Sequence, residues 1–314
     1  MTWNKNDVLI AEISGKRSGG VKQRPTESFD YDFDKVIISN NSDGYETNWK
    51  IVNVPENYIE WYKTNVKSSE NAWYAPMNRS YAIKYAKEHG YKYLIQLDDN
   101  IVFWEIAYRL KNRSYRTSHT RGTKYDGMQN DLLSYLIDVL DCTDAGISGM
   151  SVAGASIPGS DFLRERYVYS AFALKLSTIP DYYQGDFEDD IEFRLKLKQM
   201  KIPSVCVAPF RYGKTAQQGN KDTTGNRQAY IDAGVKRGAH MSKLYGDYYS
   251  AGMSSRGSGT ARKEGKVEFR HKLRPFKVGV KISNLELLKN KMAKILFKYA
   301  NERETEIKTS VKGD

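Results

Sequence analysis

Histidine, cysteine and long apolar runs are all scarce in this chain of 314 residues, and each scarcity removes a class of protein. Two cysteines, Cys142 and Cys206, cannot build a disulfide framework, and a reducing compartment suits them. Four histidines, His89, His119, His240 and His271, are scattered, and none forms a metal-binding pair at helical spacing. No apolar stretch approaches the ~18 residues that a membrane helix needs. The first apolar run, Val8 to Ala11, is too short for a signal-peptide core. The expectation is a cytoplasmic chain with no membrane partner. P-loop, G-x-G-x-x-G and Ser-His-Asp patterns are also missing.

Acidic residues are the minority charge. Lys plus Arg number 49 against 38 Asp plus Glu, for a net charge of +11. A surplus of this size favours a polyanionic partner, nucleic acid first, although excess charge also aids solubility. The 40% hydrophobic content supplies a core and excludes wholesale disorder.

Short apolar runs alternate with helical patterns to about residue 210, which predicts an α/β domain. Strands are expected at Val8–Ala11, Val36–Asn40, Ile51–Val54, Tyr91–Leu97, Ala145–Ala153, Tyr167–Leu174 and Pro203–Pro209. Pro76 suits the first turn of a helix, with Met77, Tyr81 and Tyr85 at four-residue spacing and Gly90 at its end. Leu132, Leu133, Leu136, Ile137 and Leu140 mark a second helix, and a third opens near Asp189. Arg109 to Lys124 holds six basic residues and no acidic one and reads as a loop. Residues 211–265, rich in Gly, Ser, Thr, Asn and Gln, read as a long loop. A basic strand is expected near Val267–Arg270. Ser283 and Glu286 form an S-x-x-E capping box before a helix that aligns Leu285, Leu288, Met292 and Leu296. The chain thus divides into 1–212, a core domain; 213–265, a basic loop region; and 266–314, a basic strand and amphipathic helix.

Two acidic clusters carry the chemistry. Tyr91 to Leu97 runs straight into Asp98-Asp99-Asn100. Carboxylates at a strand end lie where open α/β sheets bind ligands, and their hard oxygens suit Mg²⁺ or Mn²⁺. A polar turn that merely stops a strand would look the same. About 90 residues on, Asp186, Glu188, Asp189 and Asp190 precede a helix. N-capping and the helix dipole account for one or two of these acids. A carboxylate at a cleft can also act as general base for a hydroxyl nucleophile.

In order and spacing the two clusters resemble those of GT-A glycosyltransferases, over roughly residues 7–212. Leu97-Asp98-Asp99-Asn100 resembles that family's DxD motif after a hydrophobic strand. Asp189-Asp190-Ile191-Glu192 resembles the E-D-x-E motif of inverting members, whose aspartate is the base. Pro76-Met77-Asn78-Arg79-Ser80, followed by Ala82, resembles the segment whose arginine lies near the nucleotide sugar. Two positions depart from the pattern: neutral Asn100 ends the first motif, and Asp189 opens the second one methylene short. Either Asp189 or Asp190 is therefore open as the base, and the register of Ile191 to Leu195 favours Asp190. Ile13-Ser14-Gly15-Lys16-Arg17 with Arg24-Pro25 resembles the opening of the TET-associated, base J-type DNA glycosyltransferases of phages and kinetoplastids.

These resemblances imply a GT-A, Rossmann-like nucleotide-sugar-binding domain with a basic C-terminal extension. They imply a UDP-sugar donor contacted by Lys16, Arg17, Arg79, Asp98 and Asp99. A divalent metal, Mn²⁺ or Mg²⁺, would sit on Asp98, Asp99 and Asn100. His240 or His271 would supply a further ligand, with His271 preferred. The implied acceptor is a 5-hydroxymethylpyrimidine in DNA, 5-hydroxymethylcytosine first, glycosylated with inversion. Charge points the same way. Arg109, Arg113, Arg116 and Arg121 alternate with Tyr108, Tyr115 and Tyr125, and Arg256 to Lys281 carries nine basic residues against Glu264 and Glu268. Such side chains hold phosphates and stack on bases. The rival readings are a polysaccharide or protein acceptor, and a non-catalytic nucleic-acid-binding protein with a degenerate transferase fold.

Overall fold

The computed structural model describes residues 3–66, 74–110, 113–120, 125, 127–155, 162–183, 189–215, 238–239, 241–254, 268–273 and 277–310. The chain opens with strand β1 (Val8–Ser14), all seven residues of which are buried. Strands β2 (Asp34–Ser39) and β3 (Lys50–Asn53) follow, then helices α1 (Glu56–Asn65) and α2 (Tyr74–Glu88), then β4 (Tyr93–Asp98). Strands β1, β2, β3 and β4 are mutually parallel in the order β3-β2-β1-β4. The chain therefore builds outward from β1 on one side and returns to place β4 on the other. That reversal opens a crevice beyond the C-terminal ends of β1 and β4, the usual ligand position in an open α/β sheet.

The sheet continues through β9 (Ala171–Lys175), β7 (Ile147–Val152) and β10 (Ser204–Lys214), with β9 antiparallel to both neighbours and β7 parallel to β10. Strand β8 (Leu163–Glu165) pairs with β10 off this path. The far edge is a hairpin of β5 (Ile101–Leu110) and β6 (Arg113–Thr120). This is a mixed α/β sheet with helices on both faces.

Alternation along the central strands sends side chains to two cores. Val8 and Ile10 of β1, with Tyr93, Ile95 and Leu97 of β4, join one core; Leu9, Ala11, Ile13 and Leu94 join the other. Helix α3 (Met128–Asp141) covers the first face, and α1, α2 and α4 (Asp189–Gln199) cover the second. Helix α5 (Leu285–Ser310) lies on α3 and buries Leu288, Met292 and Tyr299 in the first core. Each such side chain contributes about 1.5–3 kcal/mol. Tyr135 Oη donates to Leu288 O at 3.0 Å, and Lys291 pairs with Asp138 at 2.6 Å. No helix among the described residues is long and apolar enough to cross a membrane.

Three local expectations are corrected. Of the Arg109–Lys124 run expected as a loop, Arg109, Leu110 and Arg113–Thr120 lie in strands β5 and β6, whose outward positions tolerate polar residues because the pair forms the sheet edge; 111–112 and 121–124 fall outside the described residues. The run from residue 211 stays in β10 as far as Lys214, and β11 (Tyr249–Ser254) pairs antiparallel with β12 (Glu268–Leu273). Helix α5 is capped by Asn284, whose Oδ1 accepts from Leu287 N at 3.0 Å. Ser283 instead turns its hydroxyl to Cys142 O at 3.0 Å, so adjacent cap-forming residues have divided the work.

Candidate active site

Strand β4 ends in the crevice, and a 3₁₀ turn at Pro25–Ser28 holds the corner that follows. Thr26 Oγ1 donates to Asp98 O at 2.6 Å and accepts from Ile101 N at 2.9 Å. Thr26 N donates to Asp99 O at 3.3 Å. The Asp98-Asp99-Asn100 backbone is thus fixed from both sides before any side chain is considered.

Asp98 faces two cations. Arg79 of α2 pairs with its Oδ1 and Lys214 of β10 with its Oδ2, each at 2.5 Å. Lys214 Nζ also donates to Ser170 Oγ at 2.7 Å. Burial pushes the Asp98 carboxyl up, but the charges of Lys214 and Arg79 outweigh it and hold the group well below the usual carboxylate range. Asp99 meets Arg17 Nη1 at 2.8 Å through Oδ1 and accepts from Ser14 Oγ at 2.7 Å through Oδ2. Here burial wins: it pushes Asp99 up to about 6 against the pull of Arg17 and the Ser14 hydrogen bond, with the Asp98 charge adding to the rise.

Backbone irregularities aim these groups. Strand β10 shifts register against β5 between Gly213 and Lys214, and a Cβ at Gly213 would lie 2.0 Å from the Phe103 ring. Glycine lets β10 close on Phe103, and the bulge turns Lys214 towards Asp98. Lys16 and Ser170 adopt positive φ angles of 58° and 59°. Such a conformation costs a non-glycine residue about 1 kcal/mol or more and gathers at functional sites.

Arg24 shapes the loop after β1. Its side chain has no solvent exposure. Nη1 donates to Arg17 O and Gly19 O at 2.6 and 2.7 Å, and Nη2 to Glu27 Oε1 at 2.9 Å and Glu46 O at 3.3 Å. The guanidinium stacks on Tyr45 at 4.0 Å and lies 3.8 Å from Glu12 Oε1. Glu12 is raised well above the usual range by burial, then by the charges of Asp99 and Glu27, which Arg24 and Arg17 oppose. On the α2 side, Asn78 Nδ2 donates to Ser14 O at 2.9 Å and to Asn40 Oδ1 at 3.1 Å. These bonds join the C-terminal ends of β1 and β2.

Of the residues singled out in the sequence, Arg17, Arg79, Asp98, Asp99 and Asn100 come together here. Lys16 is exposed, its Nζ 4.9 Å from the Tyr74 ring centre. Asp189 and Asp190 form the first turn of α4, where the backbone is described and the side chains are not. That turn is tied to β4 through Phe193, which stacks on Tyr183 at 3.9 Å. Tyr183 Oη in turn donates to Gln96 Oε1 at 3.0 Å, and Gln96 Nε2 to Arg79 O at 2.9 Å. Glu192 is buried and accepts from Tyr245 Oη at 3.4 Å. On the hairpin, Arg109 and Arg116 are exposed at diagonal positions on one face, while Tyr108 and Tyr115 stack at 5.1 Å on the other. Arg113 lies in β6 opposite Leu110, and Arg121 falls outside the described residues.

The donor set expected for a divalent metal meets a different geometry. Both oxygens of Asp98 and both of Asp99 are engaged by Arg79, Lys214, Arg17 and Ser14. Asn100 Oδ1 is buried with no hydrogen-bond partner among the described residues. His271 lies in β12 opposite Ala251, its side chain outside the description, and His240 is outside the described residues altogether. Among the described residues no group of three or more His, Cys, Asp or Glu side chains could hold a metal ion. The described residues thus fit a cluster of cations anchored on two carboxylates better than an open metal cup.

Lys214, Ser170 and Thr26 also line this corner and were not singled out in the sequence, while Ser14 and Arg24 were quoted there only as parts of the Ile13–Arg17 and Arg24-Pro25 resemblance, with no role of their own. Lys214 stood just inside a stretch read as loop. Its one sequence signal was its place directly after the apolar run of β10.

No family model and no curated protein matches the chain. Among solved structures it is similar to a candidate nucleotide-diphospho-sugar transferase from Desulfovibrio desulfuricans G20. The identity is 9%, over 76% of this chain and 98% of that one, with a TM-score of 0.38. The site assignment therefore stands on the strand order and the side-chain geometry given above.

Proposed function

We propose that the chain is a glycosyltransferase that takes a sugar from a UDP-sugar and passes it to the hydroxymethyl group of a modified pyrimidine in DNA. The observation that carries the donor half is the convergence of Arg17, Arg79 and Lys214 on Asp98 and Asp99 at the topological switch between β1 and β4. A sugar nucleotide needs anion-binding donors at such a crevice, and fixed cations there stabilise charge that develops on the leaving diphosphate.

In the proposed reaction Asp190 accepts the proton of the acceptor hydroxyl. The freed oxygen bonds to the anomeric carbon as the bond from that carbon to the diphosphate oxygen breaks. The electron pair leaves with UDP, and the configuration inverts. Arg17 and Lys214 neutralise the departing charge, while Arg79 orients Asp98.

The DNA half is supported by the β5–β6 hairpin, which starts at the residue after Asn100 and presents Arg109 and Arg116 together. Phosphate contacts from such side chains hold a strand without reading its sequence, and chemistry on a base requires its extrusion from the stack or a single-stranded substrate. The test is incubation with a panel of UDP-sugars and DNA containing 5-hydroxymethylcytosine, followed by mass spectrometry of the nucleosides. A hexose added to the modified base is expected. Donor cleavage with unmodified nucleosides would overturn the acceptor and turn attention to polysaccharide or protein.

A further inference from the structure

We propose that the crevice grips the nucleoside diphosphate directly through Arg17 and Lys214, with no bridging divalent metal, Asp98 and Asp99 acting as tethers for the cations. The inference rests on the donor-site reading above and changes what the paired carboxylates do in it.

A bridging metal would need a negative surrounding, and this corner is ringed by cations instead. The four carboxylate oxygens face Arg79, Lys214, Arg17 and Ser14. A divalent ion entering among them would meet three positive side chains at close range in a partly buried setting, where charges are weakly screened. A diphosphate meets the opposite situation. Three cations, Arg17, Arg79 and Lys214, stand against Asp98 and Asp99, so the corner carries a positive surplus that suits a diphosphate.

Donors remain for the ligand. A lysine ammonium has three, and those of Lys214 that are used go to Asp98 Oδ2 and Ser170 Oγ, which leaves one. Arg17 spends Nη1 on Asp99, which leaves Nε and Nη2 for a phosphate oxygen. The Arg17 and Lys214 side chains are 18% and 29% exposed, so a ligand can reach both. The Arg79 side chain is only 9% exposed and fits the role of holding Asp98 in place. The bulge at Gly213 and the positive φ of Ser170 are the backbone features that bring Lys214 to this point.

Calorimetric titration of the full chain with UDP in EDTA, and again in saturating Mn²⁺, tests the idea, with inorganic pyrophosphate in EDTA as a probe of the phosphate contacts alone. Binding of both probes in EDTA is expected, with a change of less than about threefold in UDP affinity when Mn²⁺ is added. Lys214→Met should weaken both probes by about 10- to 100-fold, the range for a lost charge-assisted hydrogen bond. If that variant unfolds, Arg17→Met, at the loop surface, carries the same expectation. UDP binding that appears only with Mn²⁺, together with Mn²⁺ alone binding to wild type and not to Asp99→Asn, would overturn the inference and leave the donor site standing. If UDP binds under neither condition, the donor-site reading falls and the inference falls with it.

Discussion

Replacing Arg24 by methionine keeps much of the side-chain volume and removes one guanidinium. That change strips Arg17 O, Gly19 O, Glu46 O and Glu27 Oε1 of a donor and Tyr45 of its stacked cation. Glu27 keeps the hydroxyl of Thr47 but loses its charge partner in a site closed to solvent. Breaking a buried pair from one side costs about 3–5 kcal/mol, because the remaining charge stays buried. Total stabilities run to about 5–15 kcal/mol, so the loss is large. At a few degrees per kcal/mol for a chain of this size, the melting temperature should fall by about 5–15 °C. Arg24→Lys keeps the charge without the planar fork and should fall between wild type and methionine. UDP affinity, measured below the melting range, should fall as well, since Arg17 loses the anchor on its own carbonyl. Differential scanning calorimetry and UDP titration read the two effects separately. A methionine variant that melts within about 2 °C of wild type would refute the claim that Arg24 organises this loop.

Three further outcomes are expected. Asp190→Asn should slow transfer by about 10²–10⁴-fold with donor affinity retained, and a drop confined to Asp189→Asn would move the base one residue back. Asp99 is pushed up to about 6, so it is ionised at pH 7.5 and largely protonated at pH 5.5. Protonation removes a negative charge beside Arg17; affinity for a UDP-sugar should therefore rise as pH falls through that range, and a flat or opposite profile by titration would contradict the arrangement. Arg109→Glu with Arg116→Glu should lower the log–log salt slope of DNA binding by about 2 while sparing acceptor-free donor cleavage, and an unchanged slope would return the hairpin to a solvated edge.

Much of the fold was legible because the central strands are buried on both faces and read as unbroken apolar runs. Val8–Ala11 and Tyr91–Leu97 fall within or overlap β1 and β4, and the leucines at 132, 133, 136 and 140 lie in α3. The hairpin was hidden for the opposite reason. Trp104, Ile106 and Ala107 are buried, but Arg109, Ser114, Arg116 and Ser118 make its outer part look like a loop. Edge strands need half the burial of central ones, so their pattern is weaker. At the candidate site, Asp98 and Asp99 stand out in the sequence as adjacent acids at a strand end, and Arg17 and Arg79 through the short segments that carry the resemblance. Lys214 and Ser170 do not, because each is an ordinary polar residue at a strand end and becomes informative only when the sheet sets β4, β9 and β10 side by side. The expected metal set failed to anticipate cations on both carboxylates, since a sequence displays the acids of one corner but not which bases return to it.

The most direct test of the central claim is acceptor-free cleavage of UDP-sugars, followed as UDP released from a panel of donors. Wild type should release UDP slowly from at least one sugar, and Asp98→Asn should not, because the tether for Arg79 and Lys214 is gone. Release from no donor, or equal release by wild type and Asp98→Asn, would contradict the assignment of this crevice as a sugar-nucleotide site.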